Sequence, residues 1–244
     1  MFIELAVFGV LGTTVNDDDA VARTMLEIVA DRGVAPSYSK ICSVMGLAKP
    51  VALRVLLSQG RTPPPSDAEV ARAHEAFEDR MVEHFLTHPD VAAIDGAVTT
   101  FARLRAAGAR IALATGFSRR VLAAVLLRLG WQEGDMIDVS VASDEVERGR
   151  PFPDMIQLAM ARAGVRDADR VAQIGDTALH MREGAAAACG LVIGVSSSGS
   201  RSDLRAERPS RVVSELSDVA DLVVGRPRPP RLERDPRSYS RLSS

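Results

Sequence analysis

Residues 5–15 read Leu5-Ala6-Val7-Phe8-Gly9-Val10-Leu11-Gly12-Thr13-Thr14-Val15, and this stretch decides the fold. Its first four residues are apolar, which is typical of a short strand buried on both faces of a parallel sheet. Gly12 and the two threonines after it predict a tight turn, in which backbone N–H groups and hydroxyls can hold an anion. We therefore expect a buried first strand that ends at an anion-binding turn.

The composition is that of a globular chain: 244 residues, of which 46% are hydrophobic and 25% charged. This size suits one α/β domain, or a domain with a smaller insertion. The formal net charge of −2 argues against general nucleic-acid binding, which needs a basic face. Cys42 and Cys189 stand far apart, which argues against a disulfide framework or a zinc site. With neither a signal peptide nor a membrane-spanning run in the sequence, we expect a cytoplasmic protein.

Four helices are predicted between the first strand and residue 90. The longest opens with Ser66-x-x-Glu69, a capping box in which each residue satisfies a backbone N–H of the other. Apolar residues recur at helical spacing along these segments. We interpret residues 17–89 as a helical cap inserted into the core. The predicted helices span residues 20–32, 37–45, 50–58 and 66–86.

Strands and helices alternate beyond the cap, which predicts a doubly wound, mostly parallel sheet built from residues 1–16 and 90–224. The predicted strands span residues 110–114, 136–142, 170–174 and 191–195, with an edge strand at 211–213. The predicted helices span residues 96–107, 118–129, 153–163 and 178–189, and residues 219–224 end the fold.

The tail, residues 225–244, differs from the rest in composition. It holds six arginines and four prolines with little apolar content, so we expect disorder. A solvated terminus is favoured over an arm that contacts an acidic partner. We also leave open a homodimer formed through the cap.

Polar residues follow the predicted strands at points that a parallel sheet brings together at one edge. Thr115 ends the second core strand, just before a helix N-terminus suited to phosphate. Arg150 lies in a proline-rich turn and presents a cation, and Asp176 follows the fourth core strand. A hydroxyl, a cation and a carboxylate beside the first turn indicate a site for a small anionic metabolite.

Taken in order, these four loops resemble the four motifs of the haloacid dehalogenase (HAD) superfamily, and especially its phosphonatase-like (phosphonoacetaldehyde hydrolase-like) branch. Residues 45–49 (Met-Gly-Leu-Ala-Lys) resemble the cap motif of that branch. Residues 115–119 (Thr-Gly-Phe-Ser-Arg), 149–153 (Gly-Arg-Pro-Phe-Pro) and 175–177 (Gly-Asp-Thr) resemble its later core motifs. The resemblance covers about residues 3–200 and implies an α/β, Rossmann-type HAD core with a mostly parallel sheet and an inserted helical cap.

The resemblance also implies roles for individual residues. Lys49 matches the lysine that forms a Schiff base with the substrate aldehyde, and Asp176 matches a carboxylate that binds Mg²⁺. Asp176 and His180, four residues apart at the start of a helix, share a face and form a candidate acid/base pair. The substrate- or phosphate-binding candidates are Gly9, Leu11, Gly12, Thr13, Thr115, Gly116, Phe117 and Arg150.

The departures from the family pattern matter equally. The nucleophilic Asp, also a metal ligand, is replaced by Gly9, and the second acidic position is Leu11. His180 stands where the family often has a further acidic residue, and Ala52 where phosphonatases have a histidine. No backbone group can replace a carboxylate nucleophile. Mg²⁺ therefore stays a candidate cofactor at Asp176, weakened by the loss of a ligand at Gly9.

Structural roles compete with the functional ones. Residues 17–19, three aspartates, favour capping the first cap helix over approaching the site. His180 favours facing solvent or packing under the cap over acid/base chemistry. Lys49 is equally consistent with an imine-forming amine and with a solvated lysine at a helix end. Arg150 is either a phosphate contact or a structural turn arginine.

Three functions are consistent with the sequence. The first, which we favour, is a degenerate HAD homologue that binds an anionic small molecule or a partner without normal hydrolysis. The second is an enzyme of changed chemistry that uses Lys49 as an imine, or Asp176 with His180, on a carbonyl or phosphorylated metabolite. The third is an ordinary Mg²⁺-dependent phosphatase in which Gly9 replaces Asp.

Overall fold

The computed structural model describes residues 2–16, 19–196 and 201–224. Its strands are β1 (Leu5–Gly9), β2 (Val15–Asn16), β3 (Ala92–Ala93), β4 (Arg110–Thr115), β5 (Val139–Ala142), β6 (Val171–Gly175), β7 (Leu191–Val195) and β8 (Arg211–Val213). Six of them form one sheet in the order β5-β4-β1-β6-β7-β8, and each pairing in it is parallel. This order confirms the expected α/β architecture, with β1 between β4 and β6.

β1 lies at the centre because its side chains are apolar on both faces. Ala6 and Phe8 pack into one apolar cluster, whereas Leu5 and Val7 pack into a second with Met155. Successive residues of a strand point to opposite faces of the sheet, so each cluster receives alternate residues. All four β1 side chains are fully buried, as the apolar run predicts.

The part of the chain that the structure describes contains ten α-helices. They are α1 (Ala20–Ala30), α2 (Tyr38–Ser43), α3 (Lys49–Leu57), α4 (Asp67–Thr87), α5 (Ala97–Ala106), α6 (Arg119–Leu129), α7 (Asp154–Ala163), α8 (Ala178–Ala186), α9 (Arg201–Ala206) and α10 (Ser217–Val224). The first four lie between β1 and β4 in the chain, where the cap is expected. The boundaries at residues 17 and 89 stay a prediction.

The longest cap helix, α4, begins and packs as its sequence predicts. The Ser66 N–H donates to Oε2 of Glu69 at 2.8 Å, and the Glu69 N–H donates to the Ser66 hydroxyl at 3.3 Å. Phe77 and Phe85 of α4 contact the Phe117 ring, with centroid distances of 6.2 and 5.9 Å. Helix α4 therefore holds the cap against the loop that follows β4.

Several elements differ from the expectation. β2 pairs antiparallel with β3, and two residues in each strand are too few to give a sequence period. The strand expected from residue 136 begins at Val139, because the Asp138 carboxylate accepts the Ile111 N–H at 2.8 Å just before the ladder starts. The helix expected to reach residue 189 ends at Ala186. Helix α9 was not expected.

The first cap helix is not capped by a carboxylate in the expected way. Asp19 occupies the N-cap position with φ 61°, but its side chain makes no capping hydrogen bond. The Tyr38 hydroxyl instead donates to Oδ2 of Asp19 at 2.8 Å and ties the start of α1 to α2. The Asp19 carboxylate thus accepts a hydrogen bond from a residue 19 positions away, and not from the backbone N–H groups of α1 as the sequence suggests.

Some expectations concern other parts of the chain. Asp17, Asp18 and the arginine-rich tail, residues 225–244, lie outside the described residues. Among the helices that the structure describes, none combines the length and the apolar character needed to cross a membrane.

Candidate functional site

A cavity of about 60 Å³ lies at the carboxyl ends of β1, β4 and β6, beneath the loop between α2 and α3. A single water needs roughly 15 Å³ on the same scale, so a small polyatomic anion fits. Polar and apolar groups both contribute to its wall. The lining residues are Val10, Leu11, Val21, Met45, Gly46, Lys49, Thr115, Gly116, Phe117, Arg150, Asp176, Thr177 and His180.

Lys49 reaches the cavity because the cap loop before it docks on the loop after β4. The Lys49 N–H donates to the Gly116 carbonyl at 3.1 Å. A Cβ on Gly116 would lie 2.5 Å from the Leu47 carbonyl oxygen, so this close approach requires glycine. Lys49 is only 4% exposed, and its Nζ lies 4.9 Å from the centroid of the Phe117 ring. The alternative of a solvated lysine at a helix end is therefore wrong.

Arg150 is held by a buried carboxylate. Its Nε donates to Oε2 of Glu183 at 2.6 Å and its Nη2 donates to the Ala114 carbonyl at 3.0 Å. Burial raises the pKa of Glu183, while the Arg150 charge and hydrogen bond oppose that shift. Glu183 was not among the predicted residues. The sequence gives little indication that Glu183 is buried, because it shows only an acidic residue three positions after His180. In the structure both residues lie on the inward face of α8.

Asp176 is enclosed by the turn after β1. The Thr13 hydroxyl donates to Oδ1 of Asp176 at 2.8 Å. Gly12 has φ +76°, and a Cβ there would lie 2.3 Å from Oδ2 of Asp176. Glycine at position 12 thus serves both the turn and the close approach of the carboxylate.

His180 is buried, so of the two structural roles expected for it, facing solvent is wrong, whereas packing inside the protein is not. It is 3% exposed, and its Nδ1 lies 2.8 Å from the Thr177 hydroxyl and 3.6 Å from Oδ1 of Asp176. Its Nε2 is buried without a hydrogen-bond partner. Burial, and next the Arg150 charge, hold the pKa of His180 well below its ordinary value, so the ring is neutral at pH 7. With 3.6 Å between them, Asp176 and His180 are neighbours that share no hydrogen bond.

The structure brings most of the predicted site residues together, but three of them stand behind the wall. Gly9 lies under the His180 ring, since a Cβ on Gly9 would be 2.5 Å from Nε2 of His180. Gly12 and Thr13 pack against Asp176 and do not line the cavity. The lining residues that the sequence predicted are Leu11, Lys49, Thr115, Gly116, Phe117, Arg150, Asp176 and His180.

Two backbone N–H groups at the start of α6, where the sequence suggests a phosphate site, donate to protein oxygens. The Arg119 N–H donates to Oδ1 of Asp144 at 2.9 Å, and the Phe117 N–H donates to the Thr115 hydroxyl at 3.2 Å. An anion at this helix start would therefore have to use other N–H groups than these two. The cationic side chains among the described lining residues are Lys49 and Arg150.

Comparison with known proteins places this geometry in a family. A family model described as haloacid dehalogenase-like hydrolase matches residues 3–188. The chain belongs to the haloacid dehalogenase-like hydrolase family. Phosphonoacetaldehyde hydrolases of Bacillus cereus and of Bacillus thuringiensis (strain Al Hakam) are each 30% identical over 213 residues, which cover 82% of this chain and 79% of theirs. The chain is thus a phosphatase- or phosphonatase-like member of the HAD family.

Solved structures share the fold. A phosphonoacetaldehyde hydrolase-like protein from Oleispira antarctica has a TM-score of 0.75 at 19% identity, covering 94% of this chain and 98% of that one. A β-phosphoglucomutase from Clostridium difficile has a TM-score of 0.77 at 18% identity, covering 89% and 93%. At these identities the likeness concerns the fold alone.

HAD-family hydrolases generally use Mg²⁺, but the donor set that the described residues offer does not fit that ion. The described residues contain no group of three or more His, Cys, Asp or Glu side chains that could hold a metal ion. Asp176 is the one carboxylate among the described lining residues, and its Oδ1 accepts the Thr13 hydroxyl. Mg²⁺ requires near-ideal octahedral coordination by oxygen, usually with carboxylates and several waters. Gly9 contributes no side-chain oxygen to such a site.

Proposed function

We propose that this HAD homologue binds a small phosphorylated or phosphonate anion without hydrolysing it through an aspartyl phosphate. The observation that carries the proposal is the position of the His180 ring, which lies where a side chain at position 9 would stand. Acyl-phosphate formation requires a carboxylate nucleophile. Position 9 lacks that carboxylate, and Asp176 is hydrogen-bonded to Thr13.

Two buried cations support binding of an anion. Lys49 and Arg150 both line the cavity, and each is 4% exposed. Opposite unit charges about 4 Å apart attract by roughly 4 kcal/mol at an effective dielectric near 20. Salt screens buried charges less than exposed ones. Glu183 fixes the Arg150 guanidinium and offsets its charge, so Arg150 offers an oriented hydrogen-bond donor and Lys49 supplies the main attraction.

Isothermal titration of the full chain with inorganic phosphate and with a phosphonate tests the binding step. We expect binding in the chain as it stands and a loss of about tenfold or more in Lys49→Met, since one of two cations is removed. Lys40→Met is the matched control, because Lys40 and Lys49 are the two lysines of the sequence. No heat and no thermal shift with either anion would overturn the proposal.

Phosphate release from a panel of phosphate esters and phosphonoacetaldehyde, with Mg²⁺ present, tests the absence of hydrolysis. We expect no turnover from the chain as it stands. Turnover that disappears in Asp176→Asn or Lys49→Met would replace the proposal by an enzyme of changed chemistry. The third function, a phosphatase in which Gly9 replaces the nucleophilic Asp, requires that Gly9→Asp alone restores turnover. The 2.5 Å separation between a Cβ at position 9 and Nε2 of His180 argues against that outcome.

A second function is favoured by the burial of Lys49. Its amine lies against the Phe117 ring in a cavity that also holds a guanidinium. An amine in such surroundings can add to the carbonyl carbon of an aldehyde, lose one water and form an imine. The curated relatives named above are phosphonoacetaldehyde hydrolases, so a phosphonate aldehyde is the first compound to test.

Reductive trapping tests this second function. Borohydride reduces the imine C=N bond to an amine and fixes the ligand on the protein, which adds mass. We expect the adduct on Lys49 in the chain as it stands and in Lys40→Met, and its loss in Lys49→Met. Equal labelling of Lys40 and Lys49 would mean ordinary surface reactivity and would exclude a dedicated imine site.

A further inference from the structure

The His180 ring fits between two glycines at the ends of neighbouring strands. A Cβ on Gly9 would lie 2.5 Å from Nε2 and 3.1 Å from Cε1 of His180, and a Cβ on Gly175 would lie 2.2 Å from its Cγ. Real Cβ atoms essentially never approach another atom more closely than 3.0 Å, so the contacts at 2.5 and 2.2 Å exclude a Cβ unless the ring moves. The ring is therefore held by packing against Gly9 and Gly175, and by the Thr177 hydroxyl at its Nδ1.

We propose that His180 makes this pocket a metal-independent oxyanion site, because its ring fills the space beside Asp176 that a second carboxylate ligand for a divalent cation would need. The inference rests on the proposed function, since it concerns how the same anion is held. It assigns His180 a role in selecting an anion over a divalent cation. It also links two departures from the family pattern, Gly9 and His180, because the ring occupies the space that a side chain at position 9 would need.

The donor chemistry excludes a hard cation at this place. The side chain that α8 places beside Asp176 is an imidazole, with Nδ1 3.6 Å from Oδ1, whereas Mg²⁺ prefers oxygen ligands. The Thr13 hydroxyl already donates to that same Oδ1. A carboxylate at position 9 would also meet the Thr13 hydroxyl oxygen, which lies 2.6 Å from a Cβ there.

The charges at the cavity support direct binding of the oxyanion. Lys49, Arg150 and Asp176 line the cavity, and Glu183 pairs with Arg150 behind it, so these positive and negative groups are equal in number. A further carboxylate at position 9 would leave the negative groups in excess. An incoming anion would then need a metal ion to offset the repulsion, which is about 4 kcal/mol for two unit charges near 4 Å at an effective dielectric near 20. With Gly9 in place, this need disappears.

Titration of inorganic phosphate into the full chain, in EDTA and then in excess Mg²⁺, tests the inference directly. We expect the same dissociation constant in both, within about twofold. Binding that appears only with Mg²⁺ would overturn the inference and leave the proposed function standing. Absence of binding under both conditions overturns the proposed function, and the inference with it.

Mn²⁺ binding, followed by electron paramagnetic resonance, gives a readout that does not depend on the anion. We expect no tight Mn²⁺ site in the chain as it stands. His180→Asp places a second carboxylate beside Asp176, and we expect it to raise Mn²⁺ affinity about tenfold or more. His88→Asp is the matched control, because it places a carboxylate beside exposed Asp90 outside the pocket. Tight Mn²⁺ binding by the unchanged chain, or equal gains in both variants, would overturn the inference.

Discussion

The two sides of the cavity differ in the charged groups that they carry. The cation side, formed by Lys49, Phe117 and Arg150, keeps charged groups that are buried and oriented by partners. The β1 side, formed by Gly9, Asp176 and His180, has a glycine and a neutral imidazole beside a single carboxylate. The two cations thus lie on α3 and on the turn before α7, whereas Gly9, Asp176 and His180 lie on β1, after β6 and on α8. One side can change while the other persists, so ligand binding does not entail hydrolysis.

The largest effect is expected on the cation side, from Glu183→Gln. The substitution leaves the Arg150 charge buried without its carboxylate, and removing one partner of a buried pair costs about 3–5 kcal/mol. Urea unfolding measures the loss of stability. Glu207→Gln is the control, because it breaks a more exposed ion pair with Arg182, which lies beside Glu183 on α8. This control should cost at most about 1 kcal/mol. Equal losses in the two variants would mean that Arg150 is not held by a demanding buried pair.

The next effect tests the β1 side, through Gly12→Ala against Gly33→Ala. Both glycines have φ +76°, so alanine is strained at either position by about 1–2 kcal/mol. A Cβ at Gly12 also meets Oδ2 of Asp176 at 2.3 Å, whereas a Cβ at Gly33 meets nothing within 4 Å. We expect Gly12→Ala to lose at least about 1 kcal/mol more stability than Gly33→Ala in urea unfolding. Identical losses would show that Asp176 moves aside without cost.

Acid titration of the protein tests the turn after β5, which contacts the loop that carries Phe117 on the cation side. Burial raises the pKa of Glu145, but hydrogen bonds from Arg162, Arg119 and the Ala142 N–H outweigh it and lower the pKa to about 2. The neighbouring Ser143 hydroxyl donates to the Gly116 carbonyl at 3.0 Å. Since the folded-state pKa is depressed, this stabilisation is complete above the ordinary value of 4.5 and is lost as the pH falls toward 2.

Glu145→Gln should therefore cost on the order of 2 kcal/mol at neutral pH, which is typical of hydrogen bonds to a charged group. The difference from the unchanged chain should vanish as the pH approaches 2. Unfolding free energies measured across this pH range check the prediction. Glu147→Gln, at an exposed position two residues further along the chain, should change neither the unfolding free energy nor its dependence on pH. A loss that persists unchanged at low pH would contradict the assignment.

The smallest effect is expected from Ser66→Ala, far from both sides of the cavity. Loss of the capping hydrogen bond at the start of α4 should cost about 1 kcal/mol. Phosphate affinity should not change, because Phe77 and Phe85 keep α4 on the Phe117 loop. Thermal unfolding and phosphate titration, with exposed Ser39→Ala as the control, separate these two readouts. A fall in phosphate affinity would mean that the cap helix sets the cavity more directly than its contacts indicate.

Local signals in the sequence predict a large part of this protein. The apolar run of β1, the capping box at Ser66 and the alternation after residue 90 each depend on nearby residues, and each is confirmed. The meeting of loops at one edge also follows, because parallel strands place their carboxyl ends together. The pairing of β2 with β3 could not be predicted, since two residues per strand give no period.

By itself, the sequence determined that position 9 holds no carboxylate and that a cation, a hydroxyl and Asp176 lie near it. Only the tertiary structure decided which groups are buried and what fills the vacant space. Lys49 is buried because the cap loop docks on Gly116, and Arg150 is fixed because Glu183 reaches it from α8. His180 covers Gly9 because two strand ends lack side chains at the point where α8 packs. These outcomes depend on contacts between residues far apart in the chain, and local sequence patterns carry no signal for them.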